Sequence, residues 1–107
     1  MAPPAAPRVA AVAALLLVGS PAAAAPRSFT VVIDRMQFGR TPSELHRGDA
    51  IVWVNKDMFQ HTASASDGSF DVVLAPGARA RTVLKRSGRI TFVCRYHPGM
   101  RGKLEVK

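Results

Sequence analysis

The sequence has one cysteine, Cys94, in 107 residues, so no disulfide can close within the chain. Small exported domains commonly rely on paired cysteines, and a lone thiol leaves three readings: an inert buried side chain, a nucleophile or a metal ligand. Acids are scarce as well, 7 Asp+Glu against 15 Lys+Arg. That excess favours acidic partners and faster encounter with them, or a solvated surface with a positive bias. Nucleic acid is set aside because no binding motif is present and the basic residues are scattered over many segments. There is no internal repeat, no linker after residue 26 and no helical stretch of convincing length. At this length two independent cores are excluded, leaving one domain and whatever precedes it.

Residues 1–24 differ from the rest. They are mostly Ala, Val, Leu and Pro, with Arg8 as the only charge, and read as a cleaved signal peptide. Arg8 supplies the basic start, Val9 to Val18 the apolar run, and Ala22, Ala23 and Ala24 the small residues for cleavage. An uncleaved anchor is the competing reading. The run falls short of the roughly 20 apolar residues a spanning helix needs, and Gly19, Ser20 and Pro21 interrupt it. Cleavage is expected after Ala24, because a cut one residue later leaves the ring nitrogen of Pro26 at the first position. No cysteine near the cut offers a lipid attachment, and no paired arginines precede the apolar run, which favours a Sec-type route. The expectation is a periplasmic or secreted domain over residues 25–107 with no membrane anchor after cleavage. Losing Arg8 leaves 14 Lys+Arg against 7 Asp+Glu, a net charge of +7.

Beyond Pro26 the pattern is that of strands separated by turns. Apolar residues alternate at Phe29, Val31 and Ile33, at Ile90, Phe92 and Cys94, and at Leu104 and Val106. Ala50 to Asn55 and Arg79 to Leu84 are further strand candidates, punctuated by Gly48, Asp67-Gly68, Pro76-Gly77 and Ser87-Gly88. The spacing predicts an all-β sandwich of two sheets, with Ile51, Trp53, Phe70, Leu84, Ile90, Phe92, Leu104 and Val106 in the core. Met36 is read as core and His46 as a surface residue.

The chemistry-bearing residues fall in two segments. In Cys94-Arg95-Tyr96-His97-Pro98-Gly99-Met100 a thiol, an imidazole and a thioether recur at every third position. Alternation points Cys94 into the core, and Pro98-Gly99 is expected to bend the chain so that His97 and Met100 turn back toward one centre. The segment Asn55 to His61 leaves the Trp53 strand and adds a second imidazole. Two histidines, a thiolate and a methionine form the ligand set associated with blue-copper electron transfer. Zinc is the rival metal, but a structural zinc site gains nothing from a thioether. Met58, Phe59 and Pro98 are read as an apolar rim at that end, either loop packing or a patch suited to brief docking with a redox partner.

From about Phe29 to Val106 the chain resembles the cupredoxins, and its Cys-x-x-His-x-x-Met loop is most similar to that of the amicyanins. Trp53-Val54-Asn55 with His61 downstream, Gly48-Asp49, Asp67-Gly68-Ser69-Phe70 and Pro76-Gly77 also fit. The resemblance implies a Greek-key β-sandwich with one type 1 copper at one end, held by His61, Cys94, His97 and Met100, and His97 partly exposed as the path for electrons. It further implies that Asn55 ties the ligand loops together, its backbone N–H reaching the Cys94 sulfur and its side chain the adjacent backbone. Relatives often carry Thr or Ser after the cysteine and Pro before the second histidine, where this chain has Arg95 and Tyr96. Both changes are expected to favour Cu(I), Arg95 by its charge and Tyr96 by restoring an N–H that can bond the thiolate.

Three functions fit such a site. One is an electron carrier, a monomer passing single electrons between a redox donor and an acceptor with acidic docking surfaces, without substrate chemistry of its own. Another is copper storage or delivery. The third is an enzyme with Cys94 as nucleophile and His97 or His61 as base; no oriented acid or oxyanion-hole motif accompanies it, and Met100 would have no role. The carrier is the reading carried forward.

Overall fold

A computed structural model describes residues 2–6 and 25–107. The leader and its cleavage point therefore lie outside the described residues, apart from residues 2–6, which form neither helix nor strand. No helix among the described residues is long and apolar enough to cross a membrane.

The strands in chain order are β1 (Ser28–Asp34), β2 (Gln37–Phe38), β3 (Ala50–Asn55), β4 (His61–Ala65), β5 (Asp71–Leu74), β6 (Arg79–Val83), β7 (Gly88–Cys94) and β8 (His97–Val106). They form two four-stranded sheets, ordered β2-β1-β3-β6 and β5-β4-β7-β8. β1 and β3 run parallel, and the remaining neighbours are antiparallel. This is the two-sheet all-β sandwich the alternation predicts, with β2, β4 and β5 as strands beyond those read from the pattern.

The inward face of each strand supplies the core. Val31, Ile33, Ile51, Trp53, Phe92 and Leu104 are wholly buried, and Phe70, Leu84, Ile90 and Val106, also expected in the core, are buried. Each large apolar side chain so placed contributes about 1.5–3 kcal/mol relative to exposure. Trp53 sits at the centre, its ring 5.1 Å from Phe92, 5.7 Å from Phe70 and 6.1 Å from Phe38, with edge-to-face or tilted packing. Its indole N–H, which could not be buried unpaired, donates to Thr82 Oγ1 at 3.0 Å. Gly102 lies opposite Phe92 across the β7–β8 pair, and a Cβ there would sit 2.7 Å from Phe92 Cε2. The aromatic ring thus occupies the space that a larger residue would fill.

Met36 is half-buried against the core, but in a turn rather than a strand. The two-residue β1–β2 hairpin places Arg35 and Met36 at φ 51° and 58°, as a hairpin turn of this hand requires. Neither is glycine, so the turn leans on side-chain acceptors: Asp34 Oδ1 takes the Arg35 N–H and Asp57 Oδ2 the Met36 N–H, both at 2.9 Å. His46 is exposed, as expected.

Candidate metal centre

Cys94 ends β7 on its inward face and is completely buried. The chain then reverses at Arg95-Tyr96, not at Pro98-Gly99 as the sequence suggested, and His97 already begins β8 opposite Cys94. A register shift at Val93/Cys94 opens the ladder there, which lets this tight hairpin put both side chains at one end of the sandwich. β8 is an edge strand, so the missing N–H of Pro98 is tolerated. His61, at the end of the segment that leaves the Trp53 strand, is the buried first residue of β4.

These placements bring one thiol and two imidazoles together. Cys94 Sγ lies 3.7 Å from His61 Nδ1 and 3.6 Å from His97 Nδ1. The three possible donor atoms all fall within 4.8 Å of one another. The two imidazole rings are 5.1 Å apart, inclined at 62°. Met100, on β8, is buried in the same apolar cluster as Cys94. His97 is only half-buried, and the edge of the Phe59 ring faces it at 6.5 Å. Phe59 is 51% exposed, and the neighbouring Met58, at 79%, and Pro98 are exposed as well.

The groups behind the donors differ from expectation: Asn55 does not tie the ligand segments together, since neither its backbone nor its side chain bonds the Cys94 segment. The backbone N–H of Asn55 does not reach the sulfur but donates to Ala78 O at 3.0 Å. Thr62, the residue after His61, donates its N–H to Cys94 Sγ at 3.3 Å, and its hydroxyl oxygen accepts the Arg95 N–H at 2.8 Å. The reason is register: β4 runs beside the end of β7, whereas Asn55 ends β3 in the opposite sheet. Asn55 braces the loop beneath His61, its amide donating to Phe59 O at 2.8 Å and Leu74 O at 3.0 Å, and its Oδ1 accepting the Asp57 N–H at 2.9 Å. Arg95 extends outward to Asp71, Nη2 to Oδ2 3.3 Å. Tyr96 is half-exposed and its hydroxyl accepts from Gln60 Nε2 at 3.0 Å, linking the two ligand-bearing segments.

Asp57 and Thr62 were both missed by sequence reading. Asp57 Oδ2 lies 2.8 Å from His61 Nε2. The bond from the His61 ring, together with the Met36 N–H, holds the Asp57 carboxyl below the usual range. An acid shortly before a candidate histidine ligand was the available signal, since such histidines commonly give their second ring N–H to a carboxylate. For Thr62 the signal was its adjacency to His61.

Burial by itself would raise the Cys94 thiol. Hydrogen bonds from Thr62 N–H, the His61 and His97 rings and the Tyr96 N–H outweigh it and bring the group down from 9.0 to about 6. Near neutral pH the site thus favours a thiolate, the form that binds metals. A soft sulfur anion flanked by two imidazoles, with a buried thioether in the same cluster, is a donor set that fits copper.

A two-sheet β-sandwich carrying one buried thiolate and two imidazoles at one end defines a small metal-site domain of all-β class. The cupredoxin-like domain profile matches residues 7–106, and the chain belongs to that family. Among solved structures, an amicyanin mutant in its Cu(I) form is similar at 20% identity and a TM-score of 0.64, over 75% of this chain and 82% of the other. Amicyanin from Paracoccus versutus (Thiobacillus versutus) is 22% identical with a TM-score of 0.64, over 75% of this chain and 81% of its own. A reduced amicyanin mutant is 19% identical with the same score, over 81% and 87%. At these identities the likeness is one of fold. No curated protein sequence matches the chain.

Proposed function

We propose that the protein is an exported type 1 copper protein that carries single electrons between a redox donor and an acceptor, with no bond-making chemistry of its own. The observation that carries this reading is the buried Cys94 Sγ with the Nδ1 atoms of His61 and His97 at 3.7 and 3.6 Å. His61, Cys94 and His97 would hold one copper ion, with Met100 as a weak fourth donor. Bound there, copper would supply reversible one-electron exchange between Cu(II) and Cu(I). The protein's part is to keep the donors fixed and dry: His61 is held by Asp57, Cys94 by Thr62, and both sit on rigid strands. Ligands that need not move between oxidation states favour fast exchange over bond chemistry.

His97 is the donor nearest solvent, and its apolar surround of Met58, Phe59 and Pro98 suits brief docking. The positive balance of the chain favours partners with acidic surfaces, met by a monomer. The leader over residues 1–24 supports a periplasmic or secreted location.

The test is to add Cu(II) to the purified protein and record visible and paramagnetic resonance spectra together with voltammetry. An intense blue copper–thiolate band with reversible one-electron cycling is the expected result. Weak, exchangeable Cu(I) binding without that band would replace the carrier by copper storage or delivery. Absence of copper binding would overturn both.

A further inference from the structure

The ladder between β4 and β7 is short. It pairs Ser64 with Val93 and Ala65 with Phe92 and goes no further, so Thr62 and the chain leaving Cys94 are not joined by ordinary strand pairing. Side chains take over at that point. Arg95 N–H lies 2.8 Å from Thr62 Oγ1, Thr62 Oγ1 lies 3.0 Å from Ser64 Oγ, and Ser64 Oγ lies 2.7 Å from Asp71 Oδ1. Asp71 Oδ2 then faces Arg95 Nη2 at 3.3 Å. The path starts and finishes on the same residue.

We infer that Asp71 is a positioning residue for the thiolate end of the site, acting through this closed ring of Asp71, Ser64, Thr62 and Arg95. The direction of every bond follows from valence. A carboxylate only accepts, so the single hydroxyl hydrogen of Ser64 goes to Asp71. Ser64 Oγ is then left to accept from the Thr62 hydroxyl. Thr62 Oγ1 keeps its lone pairs for the Arg95 N–H, which has nothing else to give. No other assignment of the two hydroxyl hydrogens fills all of these contacts.

The ring matters because one of its members bonds the sulfur and another is its neighbour in the chain. Thr62 donates its own N–H to Cys94 Sγ at 3.3 Å, and Arg95 is the residue that follows Cys94. Thr62 and Ser64 are buried, so an opened ring leaves polar groups without water to replace the lost partner. The Arg95–Asp71 pair is about half-exposed and as an isolated surface ion pair would contribute little. Its effect is to orient Ser64, then Thr62, then the thiolate. Asp71 also faces Ser64 directly across the β4–β5 pair, so a second strand anchors the system.

The spectral part of the test rests on Cys94 serving as a copper ligand, whereas the exchange part does not. Amide hydrogen exchange of Thr62 and Arg95 is measured by NMR in the protein with and without added copper, alongside the Cu(II) spectrum. Asp71→Ala, half-exposed and so tolerated by the fold, is expected to speed exchange of both amides by about fivefold, the scale of one lost hydrogen bond. It is also expected to shift the copper–thiolate band. Ser64→Ala should do the same, and the double variant should do no more than either single one, because the three form one chain. Unchanged exchange in Asp71→Ala, or additive effects in the double variant, would overturn the inference. If the unaltered protein gives no copper–thiolate band, the copper reading fails while the exchange results still decide the ring.

Discussion

His61 presents Nε2 to Asp57 Oδ2 at 2.8 Å and Nδ1 to Cys94 Sγ at 3.7 Å, so one ring is held from behind by a carboxylate and faces the thiol in front. With Asp57 keeping the Nε2 hydrogen, Nδ1, which faces the sulfur in the metal-free protein, is the nitrogen a metal would take on giving up its hydrogen. The same Asp57 oxygen takes the Met36 N–H and thereby fixes the loop against the β1–β2 turn. Asp57→Ala should lower copper affinity by about 10- to 100-fold, the range seen when such supporting carboxylates are removed. Asp57→Asn, whose amide oxygen still accepts, should lose less. Competition titration with a chelator of known affinity measures both, and equal affinities for Asp57→Ala and the unaltered protein would refute the role.

Cys94 sets the pH response. Its thiol titrates at about 6 in the folded protein, against 9.0 ordinarily. Because the folded value is the lower one, ionisation contributes stability that is fully present above about pH 9 and is lost as pH falls through 6. The metal-free protein should therefore lose denaturant resistance over that window. Copper affinity should fall below pH 6, where protons compete for the sulfur. Cys94→Ser should flatten this part of the stability profile, which urea unfolding across pH would reveal.

The core and one half of the site were legible from periodicity, whereas the other half was hidden by its own composition. Ile90, Phe92 and Cys94 alternate cleanly because only one face of β7 is buried there. β4 reads His-Thr-Ala-Ser, four residues all buried, with no apolar alternation to mark it as a strand. Both of its faces are covered, one by the core and the other by polar groups of Asp71 and Arg95. Without that strand, the register that sets Thr62 against the sulfur could not be read, and the role fell to Asn55 by resemblance. Arg95-Tyr96 carry no turn signal comparable to Pro98-Gly99, so the bend was placed too late. Its true position depends on the bulge at Val93/Cys94, a relation between strands.

Gly102→Ala probes the packing that keeps the two sheets together. The added methyl would meet Phe92 Cε2 at 2.7 Å and the ring Cε1 at 3.0 Å, while Phe92 is wedged against Phe38 at 4.8 Å and Trp53 at 5.1 Å. With Phe38 and Trp53 packed against the ring, the substitution should cost about 1–3 kcal/mol, as overpacking does. A lower urea midpoint at unchanged slope is the expected result; an unchanged midpoint would mean that the Phe92 ring can be displaced at no cost.

Arg95→Thr and Tyr96→Pro test how this chain's departures from its relatives bear on the metal. The Tyr96 N–H is one of the donors that hold the Cys94 thiol low, and proline removes it. A thiolate with one fewer hydrogen bond donates more strongly and favours the oxidised ion, so the reduction potential should drop by on the order of tens of millivolts. Arg95 acts through charge, but its guanidinium is about half-exposed and already paired with Asp71. Solvent screening and that counter-ion should make the drop in Arg95→Thr the smaller of the two, and the more sensitive to salt. Voltammetry of the copper-loaded variants at two ionic strengths separates the contributions. A potential that fails to fall in either variant would mean that neither residue is there to favour Cu(I).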